Sequence, residues 1–499
     1  MALLEGDLFK PFVRECNDIS AVERLFANEP FRSAFLHEHG FVPPLARFVP
    51  PTGEIVPRYE VLPSLSDGYG LTALAKALSA GDPVGADSLL SRFQSNYIAV
   101  QHAKHHVAKR RLRRFTAPTV RAFRSLRGES SRKTVLFLTG PSAFSGGEAM
   151  LCILCEHLDR ERYHRVAVVG MEGHLAQRLR RCCADVIIPE SEFATATSSN
   201  ISMFLDLFER TNVDILHLNH FDCPSAIAAA RLAGIPVVVH VRTFAAPDAV
   251  QVIREADRVL VVSDAVRRHL IRLGVPEGLV RVVYDGVEWP VEPISAESRG
   301  SLSRVLMIAA LWPPKRHDLL IAAAPIILHE YPNTRFTIIG EPVDPVYVDG
   351  LQQMVRDLDL GDHVEFLGFR TDVDAIQRNS NLLVLCSDRE PLSLAVIQSL
   401  AIGLPVVSVN SGGMSEIIRN EETGLLVDER RPEALAHAIL RLLSSPALRA
   451  KVSHNGRAEI ANKFAVAGHV EAVIRVYSEL LREEEVIASY FPAQNSCLG

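Results

Sequence analysis

From Lys133 onward, short unbroken runs of Val, Ile and Leu alternate with segments of helical spacing, and the alternation occurs twice. The first series comprises Thr134–Thr139, Arg165–Gly170, Val186–Pro189, Ile215–Asn219, Pro236–Val241, Arg258–Ser263 and Val280–Tyr284. The second comprises Arg304–Ala310, Arg335–Gly340, Val364–Phe369, Asn381–Cys386, Pro405–Val409 and Gly424–Val427. Strands apolar on both faces and separated by helices specify parallel sheets covered on both sides. The polar stretch Pro290–Ser303, with its Pro, Ser and Gly, reads as the linker between them. The expected organisation is an α/β chain of two Rossmann-like domains, 133–298 and 299–464. An apolar-striped helix at 465–485 and a loose tail at 486–499 follow.

The region before Lys133 is of another kind. Residues 1–132 read as a mostly helical extension, with a hairpin at Leu71–Leu78 and Gly85–Phe93 split by a Gly-Asp-Pro turn. Within Gln101–Lys133 stand eleven Lys or Arg and one acid, Glu129. Spacing of Val100, Ala103, Val107, Leu112 and Phe115 allows a basic amphipathic helix. It could pack as a solvated face on acidic domains, or meet an anionic membrane surface through 101–127. Nucleic acid is disfavoured, because no aromatic stacking platform accompanies the charges and the chain as a whole carries a net charge of −6. No basic n-region with an apolar core opens the chain, and no run is long enough to span a bilayer. A cytoplasmic protein, peripheral at most on the inner face of a membrane, is the expectation. Eight cysteines without a regular framework fit a reducing compartment. Cys152 and Cys155 form one CxxC in a helix-like run with no second pair following, and buried helical thiols are expected.

Chemistry is expected where strand ends open onto helix N-termini. The stretch Ser387–Leu425 has two such places. One follows the strand Asn381–Cys386 and contains Glu390, Pro391, Leu392, Ser393 and Leu394. Backbone N–H groups of Leu392, Ser393 and Leu394 are available there; Pro391 supplies none. The other is the Ser411–Gly413 turn, followed by Glu416. After the first strand of the second series comes Trp312–His317, in which Lys315 and Arg316 are cations suited to a pyrophosphate. Thr139–Met150 contains Gly146 and Gly147, where backbone could approach a ligand closely. His217, His240 and Arg242 lie at strand ends of the first series. Asp372 and Asp374 form a DxD, read as acids capping a helix.

As an ordered set these motifs resemble the retaining glycosyltransferases of the GT-B fold, the group 1 or family 4 class, over about Lys133–Glu485. The resemblance implies two facing Rossmann-like domains and transfer of a hexose-type sugar from a nucleoside-diphosphate sugar to a glycan or lipid-linked acceptor. It implies a front-face reaction with no metal and no other cofactor. Glu390 matches the first Glu of the family's Glu-x7-Glu and would meet the transferred sugar; the eighth residue on is Gln398, where the family carries a Glu for the ribose. Lys315 matches the cation that neutralises the leaving diphosphate. The family's preceding Arg falls on Ala310, and Arg316 is expected to supply the missing charge. Gly412, Gly413 and Glu416 match a Gly-Gly-x-x-Glu segment on the donor side. The resemblance places Gly146, Gly147, His217, His240 and Arg242 on the acceptor side. The changes at Ala310 and Gln398 also admit a nucleotide-sugar-binding or scaffold protein that has lost turnover, and the fold admits a sugar-nucleotide epimerase.

Overall fold

The computed structural model describes residues 132–140, 145–189, 193, 197–220, 223–294 and 303–481. The extension 1–131, with its hairpin and basic stretch, lies outside them. Seven parallel strands form the first sheet: β1 (Lys133–Thr139), β2 (Tyr163–Val169), β3 (Asp185–Ile187), β4 (Ile215–Leu218), β5 (Val237–Val241), β6 (Arg258–Val261) and β7 (Val280–Val282). Their order is β3-β2-β1-β4-β5-β6-β7. The second sheet holds β8 (Arg304–Ile308), β9 (Arg335–Ile339), β10 (Val364–Phe366), β11 (Leu382–Leu385), β12 (Val406–Val409) and β13 (Leu425–Val427), ordered β10-β9-β8-β11-β12-β13. Each sheet therefore reverses direction beside its first strand, the doubly wound pattern in which ligands gather at the carboxyl ends of the strands.

Burial explains why these runs became strands. All residues of β4, β5, β11 and β12 are buried, so neither face is left for solvent. The strands differ from expectation mainly at their ends. β2 starts two residues early, because Tyr163 pairs in register with Lys133. β7 and β10 are shorter than expected, each followed by one further N–H donated to the neighbouring strand, Val283 N to Val261 O at 2.8 Å and Leu367 N to Ile338 O at 2.9 Å.

The helix Val466–Leu481 carries the chain back onto the first sheet. Val466, Val470, Val473, Ile474 and Tyr477 enter the same core as Val135, Phe137, Ile215 and Val238. Two hydrogen bonds fix its entry: Val287 N to Phe464 O at 2.9 Å and Val466 N to Val287 O at 2.8 Å. Gly286 is required there, since a Cβ would lie 2.9 Å from Val466 Cα. The second sheet has its own core around Val305, Phe336, Leu382 and Val407.

Helices Ser198–Thr211 and Pro224–Ala233 belong to a separate compact unit. Within it Phe204 meets Phe193 edge-on at 6.0 Å, and Ser225 Oγ donates to Phe193 O at 2.6 Å. No helix among the described residues is long and apolar enough to cross a membrane.

The DxD expectation needs correction. Asp372 occupies the N-cap position of Val373–Arg378, yet its side chain makes no capping bond. Arg370 takes both its oxygens, at 2.8 and 2.6 Å, and Asp374 accepts from Arg378 at 2.8 Å. A bidentate, charge-assisted pair outcompetes a backbone N–H.

Candidate active site

The second sheet supplies one half of the site. The chain leaves β8 through Ala310, which brings no charge, and enters a short 3-10 turn, Pro313–Lys315. Lys315 Nζ then donates to Glu390 Oε2 at 2.7 Å, across from the end of β11. Glu390 is buried and Lys315 keeps part of its surface in solvent. Downstream, Ser393 caps the helix Leu394–Ala401 by accepting from Val396 N. Among the described residues no acceptor is found for the N–H groups of Leu392, Ser393 and Leu394. Unpaired helix-start donors beside an ammonium form an anion-binding corner.

Two glycines hold this corner in shape. Gly413 N donates to Glu390 O at 2.8 Å. A Cβ on Gly412 would sit 2.0 Å from Glu390 O, and one on Gly413 would sit 2.3 Å from Pro391 O. Gly412 also has φ of +56°, a conformation costly for side-chain-bearing residues. The Gly-Gly pair is therefore needed for backbone to lie against Glu390–Pro391. Gln398 lies exposed on the helix, one turn beyond Leu394.

Arg316 does not join Lys315. It stands at φ +54° and turns to Asp318, with Nη2 to Oδ2 at 2.9 Å, and to Asp388, with Nη1 to Oδ1 at 3.3 Å. Its charge is therefore matched by two carboxylates here, whereas the expectation was that it would supply the charge of the absent Arg. Arg430 also approaches Asp388, at 3.5 Å.

Glu416 is likewise spent elsewhere. Its carboxylate accepts from Asp264 N and Ala265 N, both at 2.8 Å, and from Tyr284 Oη at 2.9 Å. It caps the helix Asp264–Arg272 of the first sheet domain from the second, where a helix N-terminus favours negative charge. Its carboxylate thus joins the two sheet domains, while its backbone N–H donates to Gly413 O at 3.0 Å.

On the first sheet, Ser145 and Glu148 form a capping box at the helix Gly146–His157. Glu148 is fully buried and meets His220 Nε2 at 2.7 Å. Gly147 has no room for a side chain, since a Cβ would lie 2.9 Å from Arg242 Cδ. Gly146 faces Leu394, with its Cβ position 3.1 Å from Leu394 Cδ1, so the two halves meet at the start of the donor-corner helix.

His217, His240 and Arg242 do not open outward. His217 Nδ1 pairs with Tyr477 Oη at 2.5 Å, and His240 stacks on His469 at 5.9 Å. Burial drives the His217 pKa down to about 3 and those of His240 and His469 downward too. Arg242 is buried between Asp285, Asn219 Oδ1 at 3.2 Å and His240 Nδ1 at 3.2 Å. The returning helix Val466–Leu481 covers these strand ends, so the expected acceptor groups became interior ones.

Sequence reasoning missed His220 and Asn219. The only available signal was their position just beyond β4. It also missed Arg389, whose guanidinium lies 4.8 Å over the Phe244 ring.

Comparison with known proteins bears on this geometry. The model of the glycosyl transferases group 1 matches residues 295–459, and that of glycosyltransferase family 4 matches 144–288. One match falls on each sheet domain. The chain belongs to the group 1 glycosyltransferase family of the GT-B fold. It is similar to a D-inositol 3-phosphate glycosyltransferase of Acidothermus cellulolyticus, 31% identical over 258 residues, 48% of this chain and 56% of the relative. The chain therefore spans little more than half the length of that relative. It is 24% identical over 327 residues to an Escherichia coli UDP-Gal:alpha-D-GlcNAc-diphosphoundecaprenol alpha-1,3-galactosyltransferase, covering 58% of this chain and 84% of that one. Among solved structures, Anabaena HepE in complex with UDP and glucose superposes with a TM-score of 0.63 at 20% identity. That superposition covers 70% of this chain and all of HepE, and it speaks for the fold alone.

Proposed function

We propose that this glycosyltransferase moves a hexose-type sugar, with retention, from a nucleoside-diphosphate sugar to a glycan or lipid-linked acceptor. The observation that carries the reading is the Lys315–Glu390 pair at 2.7 Å beside the unpaired N–H groups of Leu392, Ser393 and Leu394. A departing diphosphate gathers negative charge as the glycosidic bond breaks. An ammonium and preorganised N–H groups stabilise that charge where it develops. Lys315 serves as the cation, and Glu390, held by Lys315 and by its backbone bond to Gly413, serves the transferred sugar. Gln398, exposed one turn on, faces the nucleotide side. The Gly146–Gly147 turn and the His220–Glu148 pair offer the acceptor side. The UDP bound in HepE and the UDP-Gal used by the E. coli relative make a UDP-sugar the first donor to try.

The test is turnover of UDP-, GDP- and ADP-sugars on a panel of acceptors by the full chain and by Lys315→Met and Glu390→Gln. Each variant should lose about 10²-fold or more in rate while its unfolding transition stays cooperative. If both turn over like the wild type, the assignment of the corner is wrong.

One observation favours a second reading. Ala310 brings no cation, and Arg316 is bound to Asp318 and Asp388. A protein that binds the donor without transferring it would show nucleotide-dependent thermal stabilisation with no product on any acceptor. Docking of 101–127 on an anionic membrane, and with it a peripheral cytoplasmic location, is a further part of the proposal. Deleting that stretch should lower vesicle binding in a salt-sensitive manner.

A further inference from the structure

The helix Gly146–His157 carries Cys152 and Cys155, three residues apart and thus on one face. The chain later turns sharply at Cys182–Cys183, after the helix His174–Leu179. Both cysteine N–H groups donate to the same carbonyl, Leu179 O, at 3.0 and 2.7 Å. That fixes two adjacent thiols in one tight turn. The turn delivers them to Cys155: the sulfur atoms of Cys155, Cys182 and Cys183 all lie within 4.8 Å of one another. The vicinal pair is the second cysteine pair that reading for CxxC spacing overlooked.

The surroundings suit an anionic cluster. Arg165 is buried, and its Nη1 clamps the end of the Cys155 helix through Cys155 O at 2.8 Å and Leu158 O at 2.9 Å. Its Nε is buried without a partner. Arg178, on the helix leading to Cys182, is already paired with Glu156, Nε to Oε1 at 3.0 Å and Nη2 to Oε2 at 3.1 Å, which leaves Arg165 as the cation of the site. Cys155 and Cys182 are buried, while Cys183 is half-buried and gives access from solvent.

We propose that Cys155, Cys182 and Cys183 form a three-thiolate site for a thiophilic divalent cation, zinc above all. Each ligating thiol gives its proton to solvent, so the bound site is three thiolates on one dication, net −1, facing Arg165. A metal–sulfur bond of about 2.3 Å places ligand sulfurs roughly 4 Å apart, within what this cluster provides. Soft thiolates select Zn(II) or Cu(I) over Mg(II) or Ca(II). The fourth position falls to water on the Cys183 side. The site lies in the helix layer of β2 and β3, away from Lys315 and Glu390, and is structural: it ties the helix Gly146–His157 to the edge of the first sheet.

The test uses the full chain, stripped with chelator and kept reduced. Titration with Co(II) should give a near-ultraviolet sulfur-to-metal charge-transfer band that saturates at one equivalent and is displaced by Zn(II). Zn(II) should also protect three thiols from a thiol reagent. Cys183→Ser, at the half-buried position, should weaken Co(II) binding more than about tenfold, as should Cys182→Ser. Cys386→Ser, in the second sheet domain, should leave it unchanged. No band in the wild type, or a full band in both Cys182→Ser and Cys183→Ser, overturns the proposal. So does Zn(II) protection of the wild-type number of thiols in either variant.

Discussion

At the carboxyl ends of β8 and β11 the polar groups have unspent capacity. Lys315 pairs with one carboxylate and keeps solvent contact, and three backbone N–H groups have no acceptor among the described residues. At the carboxyl ends of β4 and β5 the position is reversed. His217, His240 and Arg242 are all buried, and each is held by a side chain or a ring that folding itself supplies. The same topological place in two similar sheets has thus been put to opposite uses. The difference comes from the helix Val466–Leu481, which covers the first set and leaves the second open. Polar groups at the first sheet's ends should then govern stability, and those at the second sheet's ends should govern ligand and rate.

Arg242→Ala is the strongest test of the closed side. It leaves Asp285 buried and charged with no counter-ion, and breaking a buried pair from one side costs about 3–5 kcal/mol. Urea unfolding should show that loss. A change in turnover without a stability loss would show that Arg242 acts in the reaction and that the contrast is false.

Acid should destabilise the closed side next. Burial lowers the folded-state pKa of His217 to about 3 and lowers those of His240 and His469. Unfolded, each titrates near 6.5. The stability from holding them neutral is fully present above about pH 6.5 and is lost as pH falls below it, because only the unfolded chain then takes up the protons. The slope is about 1.4 kcal/mol per pH unit for each histidine. Urea midpoints at about pH 7.5 and 5.5 would measure it, and His217→Gln should make the dependence shallower. An unchanged dependence would mean that His217 already takes up its proton in the folded chain.

The two sheets were legible in the residues because parallel strands buried on both faces read as continuous apolar runs. The corner at Lys315 and Glu390 was legible because strand, turn and helix follow one another locally; the linker expected at 290–303 lies largely outside the described residues. What could not be read was who meets whom at long range. Glu416 looks like a donor-side acid until Asp264 and Ala265 arrive from 151–152 residues away to be capped by it. His217 looks like a cleft histidine until Tyr477 covers it from 260 residues on. Cys182 and Cys183 carry no metal-ligand spacing relative to Cys155. Only the turn of the chain at Leu179 brings them together.

On the open side a smaller effect is expected from Gln398→Glu. Gln398 is exposed on the helix that starts the donor corner, so a carboxylate there costs little in folding. A hydroxyl hydrogen bond to a charged acceptor is stronger than one to an amide oxygen by about 1 kcal/mol. Donor affinity, read by thermal shift against nucleotide concentration, should rise by up to roughly tenfold. No change would place the ribose away from this helix.

The smallest change is expected from Arg316→Gly, and it separates the two cations most sharply. At φ +54° an L-residue carries about 1 kcal/mol of strain that glycine does not. Against that, glycine forfeits the contacts to Asp318 and Asp388, which are partly exposed and worth about 0.2–1 kcal/mol each. It also gives the unfolded chain more freedom. These effects nearly cancel, so stability should move by less than about 1 kcal/mol. Rate is the informative readout. A guanidinium already matched to two carboxylates has little left to give a departing diphosphate, so kcat/KM should stay within about twofold, against the roughly 10²-fold loss at Lys315. A drop as large as that at Lys315 would mean that the donor pulls Arg316 away from Asp318 and Asp388 when it binds. The corner would then be built by its ligand, and the contrast between an open and a closed sheet end would hold only for the free protein.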